Sequence, residues 1–128
     1  MPYYFTKTLD RDFDEVIEKV SQALERQGFS ILTEIDVSET FRRELGVEFE
    51  KYRIFGACNV SHAYRALKVD KKNCIMLPCN VIVYEIKNGR IEVAVVNPMA
   101  SIRASDSLAL CEIAYQVSAK LEFIIEKL

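Results

Sequence analysis

Phe13, Val16, Ile17, Val20, Ala23 and Leu24 recur three and four residues apart, with charged residues between them. That period makes one apolar stripe on an α-helix. Asp10 and Asp12 are N-cap candidates, Asp12 and Glu15 have capping-box spacing, and Gly28 suits the position just past the helix end. Elsewhere the period falls to two, or the apolar run is short and rich in β-branched and aromatic residues. This predicts strands over 3–9, 29–37, 48–57, 74–87 and 90–96. Pro78 interrupts the fourth, and Asn88-Gly89 turns it into the fifth as a type I′ hairpin. Ser38 is expected to cap a short helix over 39–45, stopped by Gly46. Ser61 is expected to cap another over 62–69, after a break at Cys58-Asn59-Val60-Ser61. Residues 97–105 read as a loop.

The last predicted helix, over 106–128, is the longest. Leu110, Ala114, Val117, Leu121, Ile124 and Leu128 alternate steps of four and three. Leu108, Tyr115, Phe123 and Ile125 widen that apolar face. A core helix lying across a sheet accounts for the stripe, and the added width offers a second contact such as a dimer interface. The order of elements predicts an α+β fold, a two-layer sandwich with helices packed on one face of a mostly antiparallel sheet. The stretch over 58–73 is long enough for a parallel crossover, which keeps a mixed sheet open. No linker or low-complexity tract divides the chain, so residues 1–128 read as one domain.

Composition narrows the function classes. The 128 residues are 50% hydrophobic and 28% charged, the balance of a folded domain rather than a disordered chain. A chain of this size buries roughly two thirds of its unfolded surface and needs no metal or disulfide to fold. Seventeen Lys+Arg against nineteen Asp+Glu leave a net charge of −2, which argues against a dedicated nucleic-acid binder. A secretory signal pattern is absent from the first residues. The longest apolar stretch, over 74–84, is broken by Pro78 and Asn80 and is too short to span a bilayer. The four cysteines are expected as reduced thiols and the protein in the cytoplasm.

The chemistry-bearing feature is a repeated tetrad, Ala57-Cys58-Asn59-Val60 and Pro78-Cys79-Asn80-Val81. Each sets a thiol beside an amide at a kink, and if the two strands are neighbours the four polar groups could converge. Three functional readings follow. A thiolate of Cys58 or Cys79 could serve as nucleophile or redox centre. The two thiols with His62 could hold zinc, copper(I) or another soft metal. The amides of Asn59 and Asn80 could bind a small polar ligand in a cleft, with Arg53 or Arg103 supplying charge. Against these stands the ordinary behaviour of buried cysteine as a small hydrophobe and of Asn as a turn or cap residue. No Cys-x-x-Cys pair, glycine-rich phosphate loop or nucleophile elbow occurs. Cys74 and Cys111 read as core. Glu48/Glu50 and Asp12/Asp14 read as solvated faces, and the Tyr and Phe residues as mostly on core parity.

Tyr52-Arg53-Ile54-Phe55-Gly56-Ala57-Cys58-Asn59, the helix carrying Ala63, Ala66 and Leu67, and Leu77-Pro78-Cys79-Asn80-Val81-Ile82-Val83-Tyr84-Glu85 together resemble the family known as domain of unknown function 302. The Asn88-Gly89 hairpin, Asn97-Pro98 and the closing amphipathic helix are also similar, so the resemblance spans nearly the whole chain. Val60 departs from it, standing where proline is expected. The resemblance implies a small two-layer α+β domain that tends to form homodimers, and it transfers no catalytic role. It singles out Gly56, Cys58, Asn59, Pro78, Cys79 and Asn80, as a site or as fold determinants. The expectation is a cytosolic homodimer, not an enzyme, binding a small ligand or a metal near the two Cys-Asn motifs. The alternative is a thiol-dependent enzyme or redox protein using Cys58 or Cys79.

Overall fold

A computed structural model describes residues 3–75, 78–101 and 108–128. Strand β1 (Tyr4–Leu9) leads through Asp12 into helix α1 (Phe13–Arg26), where the Asp12 carboxylate accepts the Asp14 N–H at 3.2 Å. Phe13, Val16, Val20 and Leu24 form the buried stripe of α1. Each such side chain stabilises the fold by about 1.5–3 kcal/mol on transfer out of water. Gly28, at φ +85°, ends the helix as its sequence position predicts.

Strand β2 (Phe29–Asp36) and helix α2 (Val37–Leu45) meet at Asp36. Asp36, not Ser38, is the cap: its Oδ1 accepts the Glu39 N–H at 3.0 Å, and the Ser38 hydroxyl donates to the same oxygen. Strand β3 (Tyr52–Asn59) starts and ends later than expected and runs straight into α3 (Val60–Val69). Pairing of Ser30 with Cys58 and of Phe29 with Asn59 holds those two residues in the strand, which moves the cap from Ser61 to Asn59. A short 3₁₀ turn (Lys71–Ile75) follows α3, where a strand was expected to begin. Strand β4 (Cys79–Glu85) therefore starts after Pro78. Asn88 and Gly89 both have positive φ, 69° and 72°, the signature of the type I′ turn that leads into β5 (Ile91–Val96). A one-turn helix, α4 (Pro98–Ser101), and the long α5 (Leu108–Lys127) complete the chain.

The five strands lie in the order β1-β5-β4-β3-β2, and every pair is antiparallel, so the mixed sheet is not adopted. The segment between β3 and β4 returns to the adjacent position instead of crossing over. Alternate residues of the sheet, among them Phe55, Ala57, Cys79, Val81, Val83, Ile91, Val93 and Val95, join α1 and α5 in one core. The predicted seam of α5 is buried throughout, from Leu110 to Leu128, and Ile125 with it, whereas Leu108, Tyr115 and Phe123 are exposed. Lys7 ties β1 to the end of α5 by donating to the main-chain oxygens of Glu126 and Leu128, a cation at a helix C-terminus.

Helices α1 and α5 cover one face of the sheet; among the described residues no such layer covers the opposite, open face. Register fixes what it carries. One row across it holds Ile35, Ile54, Ile82, Ala94 and Thr6, and a second holds Tyr52, Tyr84, Glu92 and Thr8. A third contains Thr33, Gly56 and Asn80. Tyr4, Tyr52 and Tyr84 thus lie off the core parity expected of the aromatics, while Phe13, Phe29 and Phe55 keep it. Chains of aromatic contact continue from Tyr84 through Tyr52 and Phe49 to Phe41 on α2.

Candidate functional site

Cys58, Asn59, His62 and Cys79 do come together, beneath Ile113 and Val117 of α5, around a void of about 20 Å³. That is room for about one water and for nothing larger. Asn59 is 8% exposed and bonded at both ends of its amide. Its Oδ1 accepts from the His62 main-chain N–H at 3.4 Å and lies 2.7 Å from His62 Nδ1, and its Nδ2 donates to the Gln27 carbonyl at 3.3 Å. One side chain thus caps α3 and pins it to the end of α1. His62 Nε2 lies 3.0 Å from Gln116 Oε1, which also accepts from Arg65 at 3.2 Å. Both ring nitrogens are engaged within the fold. Burial pushes the His62 pKa below its ordinary range, the bond to Gln116 opposes it, and Arg65 and Lys120 add to the lowering.

Cys58, Cys79 and Cys111 carry thiols, and Cys111 is half-buried against the core. Burial first, and Cys58 second, push the Cys79 pKa up to about 11. A thiol so placed stays protonated at neutral pH, the wrong state for a nucleophile. Among the described residues no group of three or more His, Cys, Asp or Glu side chains is arranged to hold a metal; Cys58, Cys79 and His62 do not form one. The Cys74 side chain and Arg103 lie outside the described residues.

The other two candidates sit elsewhere. Asn80 follows Cys79 in a strand, so it projects from the opposite side of the sheet and is exposed there. The repeat of the tetrad in sequence is therefore not a repeat in space. Arg53 lies near the start of β3, its Nη1 2.6 Å from Glu34 and its Nη2 3.7 Å from Asp36, with the guanidinium over the Phe13 ring. Its charge is spent inside the fold.

A groove of about 390 Å³ lies on the open face over β4, β5 and β1. Tyr3, Tyr4, Asn80, Tyr84 and Glu92 supply its functional groups, and Ile82, Ala94 and Val96 its floor. Its volume falls in the range of small-ligand pockets. Tyr3 and Tyr4 stand edge to face, centroids 4.7 Å apart, and Tyr84 stacks on Tyr52 at 5.2 Å. The Tyr84 hydroxyl donates to the Glu92 carboxylate. Desolvation first, then Glu92, Tyr52 and Tyr4, raise the Tyr84 pKa to about 12, so the donor keeps its proton. Sequence reasoning did not find this groove. The available signal was that both parities of β4 and β5 are apolar, which marks strands in contact on both faces.

A second residue missed in the sequence is Asn97, 4% exposed. Its Oδ1 accepts from the Met99 N–H at 3.1 Å and the Ser118 hydroxyl at 2.7 Å, fixing the start of α4 against α5.

The protein-family model for the domain of unknown function DUF302 matches residues 5–128. No curated protein matches the chain. Among solved structures, the crystal structure of an uncharacterized conserved protein DUF302 from Bacillus stearothermophilus is similar, with a TM-score of 0.89 and 25% sequence identity. The match covers 99% of this chain and 98% of that one. Among the described residues, no helix is long and apolar enough to cross a membrane.

Proposed function

Because the chain belongs to the domain of unknown function DUF302 family over residues 5–128, whose description carries no activity, we propose from its geometry that it is a homodimeric, non-enzymatic binding module. Its site is the groove on the open face, in place of a cleft joining the two Cys-Asn motifs; of the four residues in those motifs, Asn80 alone lines it. The observation behind this reading is the asymmetry of the sheet. One face is sealed by α1 and α5, while the other presents Ile35, Ile54, Ile82, Ala94 and Val96 with three tyrosines and, among the described residues, no covering layer. Sheets bury such faces against a second layer. In our reading a second copy supplies one, meeting the same rows about a two-fold axis. The groove runs to the free edge at β1, which leaves a small molecule a lateral way in. The thiols fit a reducing compartment, and we read the cytoplasm as its location.

Light scattering on the wild type and on Ile54→Glu tests the reading. The wild type should scatter at twice the 14.7 kDa chain mass, and the variant, with a charge in the middle of the open face, at the single mass with an unchanged circular dichroism spectrum. A wild-type monomer across micromolar concentrations, or an Ile54→Glu dimer as tight as the wild type, would defeat it.

A further inference from the structure

The groove has a charge preference written into it. Among the described strand residues of the open face Glu92 is the one Asp, Glu, Lys, Arg or His, and among the described residues no Lys, Arg or His pairs with it. Its partner is the neutral Tyr84 hydroxyl, which orients the carboxylate without cancelling its charge. Tyr3, Tyr4 and Tyr84 line the same groove, the last stacked on Tyr52. Lys7, the cation of β1, is turned away to the end of α5, and Arg53 is held on the helix-covered side by Glu34 and Asp36. An anion would meet an unpaired carboxylate here and no cation to hold it.

We propose that the occupant of this groove is a small organic cation of the alkylammonium class. The Glu92 carboxylate supplies the counter-charge, and the tyrosine rings supply the π-faces and apolar walls that receive the alkyl groups. Quaternary and primary ammonium ions are recognised in this way because an aromatic face carries negative potential and a partly desolvated carboxylate gains from a nearby positive charge. The Tyr84–Glu92 bond keeps the anionic oxygens positioned before the ligand arrives, and the small Ala94 leaves depth beneath them. This proposal rests on the groove being a ligand site.

The test is an NMR titration of the full-length protein with choline and, separately, with 3,3-dimethyl-1-butanol, the neutral molecule of the same shape. The backbone amides of Tyr4, Glu92 and Ala94 and the side-chain amide of Asn80 are followed, with Glu92→Gln and Tyr4→Leu as variants. Choline should shift these signals at about tenfold lower concentration than its neutral twin, or less. Glu92→Gln, which keeps an acceptor for Tyr84, should abolish that preference, and Tyr4→Leu should weaken choline binding while leaving the fold intact. Equal affinity for both probes, or a preference that survives Glu92→Gln, overturns the cation proposal while the groove stands as a binding site. No shift with either probe overturns both.

Discussion

Asn59→Ala removes two attachments at once, and the structure sets the size of the loss. The side chain is the N-cap of α3, with φ −80° and ψ 99°, and its oxygen satisfies the His62 N–H. Losing a cap of this kind costs about 0.5–2 kcal/mol. Its Nδ2 also donates to the Gln27 carbonyl at the end of α1, a bond of net worth about 0.5–1.5 kcal/mol. The two together predict a destabilisation of about 1–3.5 kcal/mol. Asn59→Ser keeps a capping oxygen but cannot reach Gln27, and should recover about half of that. Asn80→Ala, at an exposed position on the other side of the sheet, should fall within about 0.5 kcal/mol of wild type. Urea unfolding at one fixed protein concentration reads all three as shifts of midpoint at constant slope. Equal costs at Asn59 and Asn80, or a cost below about 0.5 kcal/mol at Asn59, would refute the assignment of Asn59 as the joint between α1 and α3.

Three further outcomes follow from the same geometry. A Cβ on Gly56 would stand 2.4 Å from Thr33 Oγ1 and 3.2 Å from Pro78 Cγ. Gly56→Ala should therefore destabilise by about 1–2 kcal/mol, overpacking offset by the better strand former, and become nearly neutral in a Thr33→Ala background; the same cost in both backgrounds would discard the clash. Because the folded His62 pKa is depressed, the unfolded chain binds the proton more readily, so stability should be full above about pH 6.5 and decline as pH falls below it. That slope should shrink in His62→Gln, and a stability profile of identical shape in the variant would contradict it. Cys79, with a pKa near 11, should resist iodoacetamide at pH 7.5 until the protein unfolds, and mass spectrometry showing Cys79 as the first residue labelled would overturn its assignment as a packing thiol.

What could be read from the sequence was what local interactions decide. The stripes of α1 and α5, the ends at Gly28 and Gly46, and the Asn88-Gly89 turn depend on neighbours a few residues away, and each formed where its pattern placed it. The errors arose where a distant strand decided. Asn59 and Ser61 were both acceptable caps until pairing of β2 with β3 carried the strand through Asn59. Arg53 had free donors in the sequence, and in space Glu34 takes its Nη1 while Asp36 lies beside its Nη2 and its Nε is left buried without a partner. Cys79 and Asn80 formed a plausible pair until the two-residue period of β4 put them on opposite faces. The groove was hidden for a related reason. With Val81, Ile82, Val83 and Tyr84 all apolar or aromatic, parity alone does not say which side of the strand faces the helices.

The open face of the sheet, and not the outer stripe of α5, is the surface we propose this protein uses. An isotope-filtered NOE experiment on a sample mixed from labelled and unlabelled chains tests it directly. Intermolecular contacts among the methyl groups of Ile35 and Ile54, which lie outside the groove, are the expected result. Contacts from Leu108, Tyr115 and Phe123 of α5 instead, or none between copies, would contradict the account.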